Sequence, residues 1–323
     1  MNTSSPQPTR LDNFPVSFFA MVMGLSGLAI AWGKAQHVLH ADWGINPWLA
    51  GLPSVLFVVL AAIYIAKAAS YPGAVAKELG HPVKLNFFPT ISISLLLLSV
   101  VFLPLSAGAG HALWLSGVVL HLILTLYVVN TWMHQVHFQI QHMNPAWFIP
   151  AVGNVLVPVA GVPLGYIDVS WFFFSIGMIF WVILLTIVFN RILFHDPIDE
   201  RLLPTLFILI APPAVGFIAY TKLTGGLDSF GRVLYFGGLF LTLLLFTQAR
   251  RFTRLPFFLS WWAYSFPLAA ISIASLLMGE KTGAEGYAWI GGGLLLFLSL
   301  IVAMLLYRTA LAVRRGQICV PGH

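Results

Sequence analysis

Few side chains in this sequence have the chemistry for catalysis or ligand binding, and the histidines are the first to weigh. His134 and His137 stand three residues apart, with His142 beyond them. Histidines at that spacing on a helix can hold a metal or a haem. No carboxylate or cysteine stands near enough to complete such a set, so neither a metal nor a cofactor is expected. His121 stands alone in an apolar stretch and is expected to hydrogen-bond to a neighbouring helix rather than relay protons. The single cysteine, Cys319, rules out a disulfide framework, an iron–sulfur cluster and a zinc knuckle, and reads as an ordinary thiol. No nucleophile–base pair and no phosphate-cradling loop occurs. The run Gly291, Gly292, Gly293 follows no strand and reads as a close helix contact. An enzyme is therefore not expected.

Composition decides what kind of scaffold holds these residues. The 323 residues include 16 Lys and Arg and 10 Asp and Glu, so only 8% are charged, while 59% are hydrophobic. Mean hydropathy is +0.91. A soluble domain carries roughly 25% charged residues, and disorder requires low hydrophobicity, so both are excluded and an all-α integral membrane protein is expected. The polar segment 1–13, with Pro6 and Pro8, lacks the basic-then-apolar layout of a cleaved signal, so the first apolar stretch is expected to be retained. A helix needs about 20 apolar residues to cross the hydrocarbon core. Ten stretches qualify: 14–33, 47–67, 87–107, 112–132, 147–166, 170–189, 203–220, 230–247, 257–278 and 287–307. They form one membrane domain over 14–307, with an N-tail 1–13 and a C-tail 308–323.

Basic residues set the direction. The tails and the even-numbered loops hold Arg10, Lys67, Lys77, Lys84, Arg191, Arg201, Arg250, Arg251, Arg254, Arg308, Arg314 and Arg315; the other side holds Lys34, Lys222, Arg232 and Lys281. Both termini are therefore expected in the cytoplasm, and the pI near 9.6 reflects topology rather than a nucleic-acid partner. Arg250, Arg251 and Arg254 read as a cytoplasmic anchor.

Prolines divide the helices into two classes, because an interior proline removes a backbone hydrogen bond. Among even-numbered spans only the second has any, Pro47 and Pro53, both in the first turns of that span. The odd-numbered spans hold many, with Pro158, the Pro212–Pro213 pair and Pro267 near mid-span and Gly24 and Gly27 at the same depth in the first. Broken backbone at membrane depth is tolerated where it is buried or lines a cavity. Five helical hairpins follow, each giving one kinked inner helix to a central pore and one unbroken outer helix. No Asp, Glu, Lys or Arg lies in the central turns of any span, which argues against proton-coupled pumps, retinal proteins and voltage sensors. The lining expected is apolar, with the hydroxyls of Ser17, Ser26, Ser94, Ser265 and Ser272 and the amide of Asn154.

Five strings carry a resemblance: FFAMVMGLSGLAIAW over 18–32, HPVKLNFFP over 81–89, NPAWFIPAVGNVLVP over 144–158, LIAPP over 209–213 and WWAYSFP over 261–267. In this order, on the inner helices, they resemble the tellurite-resistance/dicarboxylate transporter family, which includes bacterial TehA and the slow-type anion channels of plant guard cells. The resemblance implies a pore in each protomer of a homotrimer and a phenylalanine plug on the ninth helix, here Phe266. The function expected is a passive channel for small inorganic anions such as chloride or nitrate, in the plasma (inner) membrane. Its rival is a secondary transporter of C4-dicarboxylates, sulfite or tellurite-related oxyanions. An organic dianion would call for a cationic group at mid-membrane, and the sequence offers none. Ala263 and Ala270 are expected to share the Phe266 face at helical spacing.

Overall fold

The computed structural model describes residues 10–41, 43–134 and 138–320; His137 lies outside them. The described residues form helices and no strand. Nine segments are long and apolar enough to cross a membrane: Val16–Val38, Asn46–Ser70, Lys84–Phe102, Ala107–His134, Ile167–Phe194, Leu203–Thr224, Ser229–Phe246, Leu259–Thr282 and Glu285–Arg314. The stretch expected as the fifth span is a shorter apolar helix, Pro145–Gly161. Below, spans keep the ordinal numbers of the ten expected stretches. Two short helices, Pro72–Leu79 and Ala249–Phe252, lie in even-numbered loops where none was expected. Several helices overrun their expected ends; the tenth continues to Arg314, through the expected start of the C-tail. Backbone hydrogen bonding does not stop where the apolar run stops, and long basic side chains can reach water from a helix end.

Each odd-numbered span packs on the even-numbered one that follows it, giving five hairpins. The odd-numbered helices also touch one another in the order first, third, fifth, seventh, ninth and back to first, a closed ring. Their most apolar stretches are 67%, 72%, 89% and 78% buried for the first, third, seventh and ninth spans, against 22–39% for the even-numbered ones. In Phe148–Gly161 every residue but Val159 is buried.

The break in each inner helix takes a form that proline counting did not anticipate. All five begin as a tight 3-10 stretch and then widen to α-helix: Val16–Phe18 into Phe19–Val38, Lys84–Phe87 into Pro89–Phe102, Pro145–Trp147 into Phe148–Gly161, Leu203–Ile210 into Ala211–Thr224, and Leu259–Tyr264 into Ser265–Thr282. Pro89, Pro150, the Pro212–Pro213 pair and Pro267 all fall within the first three residues of an α-segment. A first-turn N–H has no partner inside the helix, so proline removes nothing there. Pro212, Pro213 and Pro267 thus mark where α-helix starts rather than mid-helix kinks. Pro158 and Pro53 do lie inside their α-segments. The first helix is unbroken at Gly24 and Gly27.

Hydroxyls satisfy carbonyls near the junctions. Thr90 donates to Phe87 O, Ser92 to Pro89 O, Ser94 to Thr90 O and Ser265 to Trp262 O. Irregular backbone in apolar surroundings persists because these groups are paired.

Candidate membrane pore

A cavity of about 1070 Å³ opens at the end of the bundle where the inner helices begin. Every inner helix lines it, and of the outer helices only the tenth contributes, through Arg308 and Ala312. The lining follows a register. In the first, third and fifth helices the second residue of the α-segment faces the cavity (Ala20, Thr90, Ile149), and so does the fifth (Met23, Ile93, Val152). The ninth places Phe266 at the second position, and the seventh places Ala211 at the first. Counting along each helix, the lining reaches no further than these residues and Pro267. At this level the cavity meets a ring of small and apolar groups with one hydroxyl and one large aromatic ring. Phe266 is 7% exposed, and Gly27 lies close beside it: a Cβ on Gly27 would sit 3.4 Å from the phenyl Cδ2 and 2.9 Å from Ala269 Cβ.

The mouth is charged. Glu78, His81, Lys84, Asp199, Arg201 and Arg308 all line it. Glu78 is buried and fastens the start of the first helix. Its Oε2 accepts from Lys67 Nζ and Tyr64 OH, each at 2.8 Å, its Oε1 accepts from Val16 N–H at 3.4 Å, and Lys67 also donates to Phe14 O at 2.8 Å. His81 Nδ1 accepts from the N–H groups of Val83 and Lys84 at 3.1 and 3.3 Å. Burial, and then the charges of Lys84 and His142, hold its pKa below the ordinary histidine value. The described ends of the chain meet at this face. Pro15 and Val16 line the cavity with Gln317, Ile318 and Cys319, and Arg10 lies beside Gly316. Burial pushes the Cys319 thiol up.

The candidate residues divide between this cavity and the packing behind it. Phe266, Pro267, Ala263 and Ser17 line the cavity. Ala270 does not; it is 2% exposed and lies one helical turn beyond Phe266 on the same face, deeper than the lining reaches. Gly24 and Gly27 face the ninth helix rather than the cavity: a Cβ on Gly24 would overlap Ser265 Oγ. Pro158, Pro212 and Pro213 are buried. Ser94 and Ser265 turn back to their own backbone, and Ser272 donates to Gly291 O at 2.8 Å, where a Cβ on Gly291 would meet Leu276. Ser26 is buried elsewhere in the core.

Asn154 belongs to a polar cluster behind the pore wall. Its Nδ2 donates to Pro150 O at 2.7 Å and to Thr125 Oγ1 at 3.3 Å. His121 joins them, with Nε2 3.1 Å from Pro150 O and Nδ1 2.9 Å from Ser92 Oγ. A carbonyl only accepts, so Nε2 carries a proton. Gly153 admits the imidazole; a Cβ there would overlap it. His121 thus ties the third and fifth helices to the fourth, as a helix-to-helix hydrogen bond was expected to do. His134 bonds to Asn130 O and His142 to Gln139 N, and no group of three metal-ligating side chains lies together among the described residues.

The residues that sequence reading missed are the mouth charges and the wall positions from Ala20 to Val152. Their signal was present in Pro89 and Pro150, which set the helix register, but it becomes readable only once the 3-10 stretches are known.

A ring of shielded helices around a funnel open at one end defines a polytopic helical membrane protein with an internal passage or binding chamber. Comparison with known proteins gives the family. The chain belongs to the voltage-dependent anion channel family SLAC1, whose model matches residues 13–310, as the five strings had suggested. It is 30% identical over 273 residues to the S-type anion channel SLAH3 of Arabidopsis thaliana, covering 82% of this chain and 43% of that protein. It is 28% identical over 282 residues to the guard cell S-type anion channel SLAC1 of the same plant, covering 84% and 50%. The tellurite resistance protein TehA homolog of Haemophilus influenzae is 23% identical over 320 residues, covering 98% and 94%. The chain spans about half the length of these plant relatives. The family is one of anion channels and transporters, not of enzymes.

Proposed function

We propose that the chain is a passive anion channel for small monovalent anions such as chloride or nitrate, with the Phe266 ring as its gate. The observation that carries this is a cavity lined by all five inner helices and ending at a charge-free ring that holds Phe266. A wall without fixed charge can pass an ion without holding it, which conduction requires. The inner helices enter the funnel with their N-termini, whose partial positive charge favours an anion. Pro145–Gly161 is the tenth crossing, which puts both ends of the chain on the cytoplasmic face of the plasma (inner) membrane, as the basic residues indicate. Each protomer of a homotrimer encloses its own pore, and the exposed apolar faces of the outer helices meet lipid or neighbouring protomers.

A coupled transporter of C4-dicarboxylates, sulfite or tellurite-related oxyanions fits the ring less well, since a dianion would have no cation to meet there. Purified protein in planar bilayers under a chloride gradient separates the readings. Current that follows the anion gradient with equal pH on both sides supports the channel. Transport that stops without a proton gradient overturns it.

A further inference from the structure

We propose that the end of the bundle opposite the funnel carries an anion-collecting site built from Lys34, Lys222 and Lys281 and attenuated by Glu280. It rests on the anion-pore reading above.

The hairpin topology makes such a site necessary. At the funnel the inner helices begin, and their N-termini favour an anion. At the opposite end they finish, and each C-terminus carries about half a negative charge on its unpaired carbonyls. A passage with bare helix ends would therefore attract anions at one mouth and repel them at the other.

Cations stand where that repulsion is to be offset. Lys222 lies in the last turn of the seventh helix and Lys281 in that of the ninth. Lys34 lies one turn before the end of the first helix, with His37 in its last turn. Lys34 pairs with Glu280 across the first and ninth helices. Lys34, Glu280 and Lys281 all lie close enough to act electrostatically on Lys222, and Lys34, His37 and Lys281 on Glu280. Three ammonium groups and one carboxylate from three consecutive helices of the ring thus share one place, with a formal excess of positive charge. The pair remains partly wet, its side chains 20% and 37% exposed, so the site gathers hydrated anions rather than stripping and holding them.

The other described carboxylates of this face lie off the site. Asp168 and Glu285 occupy the first turns of the sixth and tenth helices, and Asp228 caps the eighth, accepting from Gly231 N–H at 2.9 Å. All three stand on outer helices, where Arg232 of the eighth helix offsets them in part, so among the described residues the face is positive over the ring and net negative around it. Helix-end capping alone would explain each lysine singly. It would not leave the third and fifth inner helices without a basic residue in their last turns, as they are.

The test uses the full chain in planar bilayers with chloride as the probe ion, in a Phe266→Ala parent, at about 10 mM and about 1 M salt, where the screening length is about 30 Å and 3 Å. Lys222→Gln should lower the current of chloride entering from this face on the order of threefold at low salt, and Glu280→Gln should raise it by a similar factor. Both effects should vanish at high salt. Should Lys222→Gln fail to fold, Lys281→Gln tests the same sign. Changes in the same direction for both charges, changes that persist at high salt, or no change would overturn the site while leaving the pore. No anion-selective current in either the wild type or a well-folded parent would overturn the pore reading, and this proposal with it.

Discussion

The inner and outer helices are built from much the same apolar residues yet live in different surroundings. Mean hydropathy of the inner spans that qualify as crossings runs from 1.4 to 2.0, and that of the outer ones from 1.6 to 2.6. The more buried set is the less hydrophobic one. In a soluble protein the order would be the reverse. A helix facing lipid has only its side chains to present, so it keeps them large and apolar and its backbone regular. A helix shielded by others can carry glycine, proline and hydroxyls, because neighbours pair its freed backbone groups and small residues let helices close up. The 3-10 starts occur in all five inner helices and in no outer one.

The sharpest way to break this comparison is Phe266→Ala. If the ring is an ordinary core phenylalanine, its loss should cost about 3–5 kcal/mol and leave conductance unchanged or lower. If the ring gates the inner helices, the variant should stay folded and carry a constitutive anion current on the order of tenfold or more above wild type. Bilayer recording beside a thermal unfolding curve reads both. A well-folded variant no more conductive than wild type ends the gating role.

Glu78→Gln tests what fixes an inner helix at the mouth. It leaves Lys67 buried without its counter-ion, and such broken pairs cost about 3–5 kcal/mol. Unfolding in detergent should show the loss. A variant as stable as wild type would mean that the start of the first helix is held by other contacts. His121→Ala should cost less, about 1–3 kcal/mol, by removing the hydrogen bonds that tie the third and fifth helices to the fourth. Val58→Ala, at a side chain 66% exposed on the outer second helix, should fall within about 0.5 kcal/mol. Equal losses for His121→Ala and Val58→Ala would erase the distinction between the two sets.

The smallest expected effect is a pH dependence at the mouth. The folded-state pKa of His81 lies below its unfolded value near 6.5. The unfolded chain therefore takes up the proton first on acidification. Stability should be full above that value and decline as pH falls toward the folded-state pKa. His81→Asn should flatten this part of the stability profile. An unchanged profile would assign the decline to other groups.

Much of the architecture was legible because it depends on composition summed over long segments. Ten apolar stretches and the split between proline-rich and proline-poor helices needed no contact information, and the ring order is the one the hairpins imply. The plug at Phe266 was implied only by the family's strings; among 26 phenylalanines, no local feature separates a gate from a core ring. The pore wall was less legible. Gly24 and Gly27 carried the same signal whether they broke a helix or closed it against the ninth, and the hydroxyls of Ser94 and Ser265 could as well have faced an ion as their own backbone.

The sequence by itself determined that this chain enters a membrane, that charge is excluded from the centre of its spans, and which helices are shielded from lipid. Each follows from transfer free energies that hardly depend on neighbours. Only the tertiary structure decided which side chains face the passage. The tight 3-10 stretches rotate each inner helix before its α-segment starts, so a residue's direction depends on where that junction falls. Proline marks where an α-segment starts, but which of its faces meets the passage is decided by how the five inner helices pack around it, and that arrangement cannot be read from one helix alone.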